Sequence, residues 1–352
     1  MESPISQPDG TVRGEILEAT VALRYTTLAD EYAAIRDRAA LVDLSGARII
    51  EISGGDATDF AQRVLARDVE YLTAERCMTS LVLDEAGHVV DTVVVWGRET
   101  GMLLESSVGG GARLLEHLKG QVGDADVEVA DRSEEHVLFG LEGPYSWGVV
   151  GRLIDSELAA LPFESVVDTE WDGTPIIFAR TGFTGEYGYK VLVPRAEAQR
   201  LWEAAAAEAV PAGQEALELA MLEVRQPLVH REAGAVDILE MGANWLVDVT
   251  KEEFVGREAV LAAFEGPAGL RTIGFTTPGE APAAGTPVTV DGERIGEVVH
   301  AVHSVGLDAA LGLIRVPADL AAAGLRVSVG EAEATTLTSP YVTPKSWSTP
   351  II

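Results

Sequence analysis

Arg180-Thr181-Gly182-Phe183-Thr184-Gly185-Glu186-Tyr187-Gly188-Tyr189 sets three glycines within seven residues, between two apolar, β-rich runs. Glycine at that density permits positive φ and close approach of one backbone to another. The segment therefore reads either as a cradle for a flat ligand or, more plainly, as a tight structural corner. It is not a dinucleotide fingerprint, because the glycine order is wrong and no helix follows directly. It is not a phosphate loop, because no Gly-Lys-Ser/Thr follows. Before the corner, Trp171-Asp172-Gly173-Thr174 turns into Ile176-Ile177-Phe178-Ala179, and after it comes Tyr189-Lys190-Val191-Leu192-Val193. Residues 171–194 thus predict a hairpin, with helices to follow at 196–209 and 215–227.

Toward the N-terminus, residues 78–83 and 89–96 are apolar runs joined by Asp84-Glu85-Ala86-Gly87, a strong hairpin signal. Within Val89-Val90-Asp91-Thr92-Val93-Val94-Val95, Asp91 is a lone carboxylate in a strand apolar on both faces. Burial disfavours its ionised form, and a carboxyl so tuned suits general acid/base work or holding a cationic intermediate. A turn cap or an arginine partner explains the residue equally well, and the sequence leaves both open. Helices are expected at 27–40, around Phe60, Val64 and Leu65, and at 111–119, with strands at 47–52, 127–129 and 136–140. The alternation with antiparallel hairpins predicts an α+β chain rather than a doubly wound sheet. Residues 278–287 hold three prolines and two glycines and read as a boundary region. Short strands at 286–290, 296–303 and 325–329 then suggest a small barrel or sandwich.

The 352 residues carry 56 acidic and 26 basic side chains, for a formal charge of −30 and a pI near 4.4. A surface so negative repels phosphate backbones and anionic lipid, so neither nucleic acid nor a membrane surface is expected as a partner. The only lysines are Lys119, Lys190, Lys251 and Lys345. The acidity reads as adaptation of a whole proteome or, less simply, as a docking face for a cationic partner. Cys77 is alone, which excludes an intrachain disulfide. The opening Met1-Glu2-Ser3-Pro4 lacks the basic and apolar regions of a signal peptide, and no apolar run is long enough to span a bilayer. A cytoplasmic location is expected. His88 lies three residues before Asp91 at the hairpin corner, while His300 and His303 lack a nearby carboxylate pair, so no metal is expected.

Four segments in order resemble the glycine-cleavage T-protein (aminomethyltransferase) and folate-dependent demethylase superfamily. They are Leu23-Arg24-Tyr25 with Glu31, Arg36 and Asp43-Leu44-Ser45-Gly46; the run from Asp84 to Val95; the corner 180–189; and Phe254-Val255-Gly256-Arg257-Glu258-Ala259. The resemblance implies a three-domain cloverleaf around a central hole, the third domain a small C-terminal β-barrel. It places the domains at 1–46 with 135–235, 47–134 with 236–265, and 266–352. It also implies one-carbon transfer, methyl or aminomethyl, to tetrahydrofolate from a small methylated substrate. A lipoyl-carrier protein is the less favoured donor. Asp91 matches the catalytic aspartate, and Trp245 matches the tryptophan over the folate.

Other positions depart from that pattern. Thr79 stands where the family has a folate-side tyrosine, Glu105-Ser106 replaces a valine–asparagine pair, and Phe183 replaces the corner tyrosine. Lys190, directly after Tyr189, stands where a glutamate clamps the pterin edge, and an ammonium offers only donors to a group that also donates. Leu217 takes an arginine's place, and His230-Arg231-Glu232 takes that of Tyr-Gly-Gln-Glu. Arg225 is among the few basic residues able to meet folate's acidic tail. In the first reading Glu105 takes over the lost carboxylate, paired with Lys190, and folate binds in altered form. The alternatives are an enzyme of the same fold acting without folate, and a non-catalytic folate-binding or assembly protein.

Overall fold

The computed structural model describes residues 3–154 and 157–352, so Met1 and Glu2, part of the signal-peptide reading, lie outside the described residues. The valine run around Asp91 is apolar on both faces because its strand separates two cores. Strand Val89–Arg98 pairs antiparallel with Cys77–Leu83 and with Gly101–Glu105; Ile49–Ser53 and Glu128–Asp131 complete a five-stranded sheet. Val93 and Val95 pack with Phe60 of helix Ala57–Val64 and Leu114 of helix Gly111–Gln121. Val94 and Trp96 pack with Leu138 and Leu192 of a second sheet. The hairpin turn holds because Asp84 Oδ1 accepts from the amides of Ala86 and His88, both at 2.9 Å, while Gly87 supplies φ of +79°.

The second sheet runs Val166–Trp171, Thr174–Ala179, Gly188–Pro194, His136–Glu142, Ala40–Asp43, Val210–Ala212, antiparallel except for its last pair. Helices Ser146–Leu153 and Ala198–Ala206 cover one face through Val149, Val150, Leu201 and Trp202. A closed six-stranded barrel follows, in the order Leu270–Thr277, Ala309–Pro317, Glu293–Ser304, Pro287–Val290, Arg326–Val329, Ala332–Leu337. The α+β class and the C-terminal barrel are as expected. The proline-rich stretch is not a boundary, however. It lies inside the barrel, linking Leu270–Thr277 to Pro287–Val290. Proline there ends one ladder and turns the chain into the next. The helix expected over 27–40 is Leu28–Asp37, since residues from Ala40 onward enter the second sheet. The helix expected over 215–227 is Gln214–Glu223 and stops two residues before Arg225, whose φ is +64°. A hairpin of Val12–Ile16 and Ala19–Arg24 had no counterpart in the sequence reading.

The corner is built by close approach. A Cβ on Gly182 would stand 2.7 Å from Glu142 Oε1 and 2.7 Å from the Cα of Gly188. Glu142 fastens the corner, accepting from the Phe183 amide at 3.2 Å and the Thr184 hydroxyl at 2.6 Å. Gly182→Ala is therefore expected to destabilise the protein by about 1–3 kcal/mol, the usual range for overpacking. Thermal unfolding checks this; an unchanged midpoint would mean that the corner yields freely.

Arg36 ties the lobes together. Its guanidinium bonds Glu223 (Nε at 3.0 Å, Nη2 at 2.8 Å) and the Thr184 carbonyl at 2.7 Å. Glu223 also accepts from Tyr32 and, at 2.9 Å, from Ser304 of the barrel. Glu186, in the corner, accepts from the amides of Lys345 and Ser346 at 3.0 and 2.8 Å.

Candidate active site

Asp91 is wholly buried. Its Oδ1 accepts from the Thr92 amide at 2.9 Å and its Oδ2 from the Ser107 amide at 3.2 Å. Burial pushes its pKa up to about 6, and the Ser107 hydroxyl and amide, the Thr92 amide and the Arg113 charge hold it from rising further. Gly110 presses on the carboxylate: a Cβ there would lie 3.0 Å from Oδ2. The bland alternatives raised by the sequence are thus half met, since two backbone amides cap the group but, among the described residues, no arginine pairs with it directly.

Thr92 and Ser107, the two residues that hold Asp91, also line a cavity of about 70 Å³, partly open to solvent. It opens where the two sheets meet. Leu44, Val94, Phe183, Leu217 and Met221 make its apolar walls; Glu105, Glu218 and His230 are its ionisable residues. Asp91 stands one layer behind this wall.

Glu105 ends strand Gly101–Glu105 and Lys190 lies on strand Gly188–Pro194, so each comes from a different sheet. The Lys190 ammonium donates to Glu105 Oε1, and both side chains are buried. The same Nζ lies 3.7 Å from the centre of the Phe183 ring. Glu105 Oε2 and Thr92 Oγ1 are buried without a hydrogen-bond partner among the described residues. An unpartnered carboxylate oxygen is costly, so the cavity is set up for a ligand that donates. Beyond the lysine, Glu142 is also wholly buried. Burial raises its pKa to about 7, opposed by Thr184, Phe183, Lys190 and Arg36.

The remaining expected residues separate. Ser106 lines the cavity, but its hydroxyl is engaged, accepting from the Arg48 amide at 2.8 Å and donating to the Ser107 carbonyl at 2.9 Å. Thr79 pairs with cavity-lining Val94 across the ladder and is itself not part of the wall. Tyr189 points the other way: its hydroxyl donates to the Ala159 carbonyl at 2.8 Å and its ring stacks on Phe178 at 5.6 Å. Lys190 is not in the wall either and meets it through Glu105. Arg225 donates to the Met241 carbonyl at 2.6 Å and pairs with Glu232 at 2.7 Å, outside the cavity lining. Trp245 is 51% exposed on a short turn, Asn244–Leu246, and does not line the cavity either.

Glu142 and Glu218 were missed in the sequence. Glu142 had a usable signal, a carboxylate closing an otherwise apolar strand. Glu218 lies amid a helix of buried residues and gave none. Cys77 is buried, and its thiol is pushed up to about 12 by that burial, which removes it as a nucleophile. Among the described residues no cluster of three or more His, Cys, Asp or Glu is placed to hold a metal, and no helix is long and apolar enough to cross a membrane.

Comparisons with known proteins agree with this architecture. The family model described as the GCVT N-terminal domain matches residues 8–251. An aminomethyltransferase of Rubrobacter xylanophilus is 35% identical over 299 residues, covering 84% of this chain and 80% of the relative. One from Streptomyces avermitilis is 31% identical over 316 residues, covering 86% and 84%. Among solved structures, glycine cleavage system aminomethyltransferase T from Bartonella henselae superposes with a TM-score of 0.85 at 21% identity, over 95% of both chains. On the extent of the sequence matches, with the fold in agreement, the chain belongs to the GCVT N-terminal domain family.

Proposed function

We propose that this chain is an enzyme that transfers an aminomethyl carbon to tetrahydrofolate bound in the cavity between the two sheets. The aminomethyltransferases that it resembles over most of its length support the reaction class. The observation that carries the site is the unpartnered Glu105 Oε2 in the cavity wall, two residues from Ser107, whose amide holds Asp91. A pterin edge presents N–H donors, which this oxygen can accept. Phe183, Leu217 and Met221 offer apolar faces to a flat ring. Tetrahydrofolate, when bound, supplies the nucleophilic nitrogen that receives the carbon.

The chain's own residues do the rest. Asp91 is ionised above pH 6 and fixed by two amides, so its charge is already aimed before positive charge develops on the transferring carbon. Lys190 holds Glu105 in place. The buried pair is the altered feature of this site: the carboxylate comes from the five-stranded sheet and the ammonium from the strand after the corner.

Two donor classes are tested side by side: an aminomethylated lipoyl-carrier protein and small N-methylated amines, each with tetrahydrofolate. Titration calorimetry with tetrahydrofolate tests the site itself. Saturable binding is expected, weakened at least tenfold, about 1.4 kcal/mol, in both Glu105→Gln and Glu105→Ala. The absence of heat at high tetrahydrofolate would remove folate from the reaction. Unchanged affinity in both variants would remove Glu105 from the site.

A further inference from the structure

Asp91 does not itself line the cavity, so its carboxylate needs a go-between to act on anything bound there. The chain supplies one just beyond strand Gly101–Glu105. There Ser106-Ser107-Val108-Gly109-Gly110 turns into helix Gly111–Gln121, and Gly109 takes φ of +76° where a Cβ would strike the Ile16 carbonyl. The turn sets Ser107 against the carboxylate and in the cavity wall, its amide donating to Asp91 Oδ2 at 3.2 Å. The Ser107 hydroxyl and the carboxylate border one space, which a Gly110 Cβ would fill. That Cβ would lie 2.6 Å from Ser107 Oγ and 3.0 and 3.2 Å from the two Asp91 oxygens. The hydroxyl is near enough to hold the Asp91 pKa down, yet it is buried and closes no hydrogen bond among the described residues. A buried hydroxyl left open, with one donor and two lone pairs, is costly unless a ligand completes it. Thr92, the other residue between Asp91 and the cavity, offers the carboxylate only its amide. The charge acting on Asp91 is Arg113 of helix Gly111–Gln121, whose guanidinium donates to the Val90 carbonyl, while Val82 stands opposite Asp91 on the neighbouring strand. Glu105 lines the same cavity in its pair with Lys190.

We infer that the Ser107 hydroxyl is the group through which Asp91 reaches the ligand, donating to Asp91 Oδ2 while accepting from the N–H of the nitrogen that receives the carbon. The inference rests on the function proposed above and adds a contact residue to it. A serine hydroxyl turns about its Cβ–Oγ bond, so its one proton can face the carboxylate while its lone pairs face the cavity. Hydrogen bonds in such a chain polarise one another. The carboxylate draws on the Ser107 proton, which makes the Ser107 oxygen a stronger acceptor. That oxygen in turn draws on the N–H and enriches the attacking nitrogen. No bond to Ser107 is made or broken. Asp91 stays one layer behind the wall, and Ser107 supplies the atom that touches.

The Asp91 carboxyl reports on this directly. Carbon-13 NMR of the intact protein without ligand is expected to place its titration midpoint about one unit higher in Ser107→Ala than in the parent, a tenfold change in proton affinity. Ser107→Thr, which keeps a hydroxyl, should restore the parent midpoint, and Thr92→Val, which keeps the amide, should not move it. A midpoint indifferent to Ser107→Ala, or moved equally by Thr92→Val, overturns the contact. In the donor assay that turns over, Ser107→Ala is expected to lower kcat about tenfold to hundredfold. Its acid limb should move upward in pH with the carboxyl midpoint, and Ser107→Thr should regain most of the rate. Full kcat in Ser107→Ala, or a lowered kcat whose acid limb stays in place, overturns the proposal. Failure of tetrahydrofolate to bind the parent protein is a different result. It strikes the folate reading, while the carboxyl titration still decides whether Ser107 serves Asp91.

Discussion

Asp91→Asn is expected to abolish transfer while leaving the protein folded. The carboxylate is wholly buried, accepts two backbone amides and lies against Gly110, so an amide of the same size fits sterically but can accept from only one of the two N–H groups. What the variant lacks is the charge and one acceptor. Loss of one preorganised electrostatic group costs roughly 100- to 1000-fold in kcat. With a pKa near 6 in the folded state, against about 3.8 for the free side chain, the parent rate should fall about tenfold per pH unit below 6. That limb should be absent from the residual activity of the variant. The same shift fixes a sign in stability. Because the folded pKa is the higher one, the native state binds the proton more tightly. Asp91 therefore favours folding most below pH 4 and progressively less as pH rises to 6. Glu142, raised to about 7, acts in the same sense over a window extending one unit higher. Kinetics and thermal melts between pH 4 and 8 check both signs. Full activity in Asp91→Asn would move the catalytic charge elsewhere.

The second large effect is expected at the buried pair. Lys190→Met removes the ammonium and leaves the buried Glu105 carboxylate without its partner. Breaking a buried pair from one side costs about 3–5 kcal/mol, because the remaining charge has lost its partner. Replacing both, as in Glu105→Leu with Lys190→Met, should recover most of that stability. Buried ion pairs exchanged for packed apolar groups are often neutral or better. Binding should not recover with it, since the double variant lacks the Glu105 carboxylate that accepts from a pterin edge. The thermal midpoint and tetrahydrofolate affinity therefore ought to separate. If the single variant melts with the parent, the pair is not closed in solution. If the double variant binds folate fully, Glu105 plays no part in recognition.

How far the sequence discloses these features depends on how local their causes are. The corner was legible because glycine is demanded by contacts within its own seven residues, Gly182 against Gly188. The hairpin at Asp84–Gly87 and the lone acid in the valine run were legible for the same reason. Tyr189 and Lys190 were both assigned to one site by resemblance, and neither lines the cavity, a placement set by the packing of the two sheets. Glu105 and Lys190 are 85 residues apart, and only the packing of two sheets brings them together. Arg225 was named for its charge, but Glu232, seven residues on, holds it. Trp245 kept its identity without a place in the wall, which no pattern along the chain reveals. The helix of buried residues at 214–223 hid Glu218, since a carboxylate within an apolar helix looks like an exposed one.

The bonds from Glu186 to the amides of Lys345 and Ser346 span about 160 positions. Arg36 waits still longer, for Glu223 at a separation of 187 residues and, through it, for Ser304. Contacts that distant close slowly, because the intervening chain must first be ordered. During synthesis the corner beside the cavity therefore emerges long before the barrel and tail segments that brace it. Until residues 345 and 346 leave the ribosome, Glu186 lacks the amides that hold it, and the cavity's corner is fastened from one side only. Completion of the corner is tied to the arrival of residues 345 and 346, so a polypeptide halted after the second sheet would carry the reacting residues without that support.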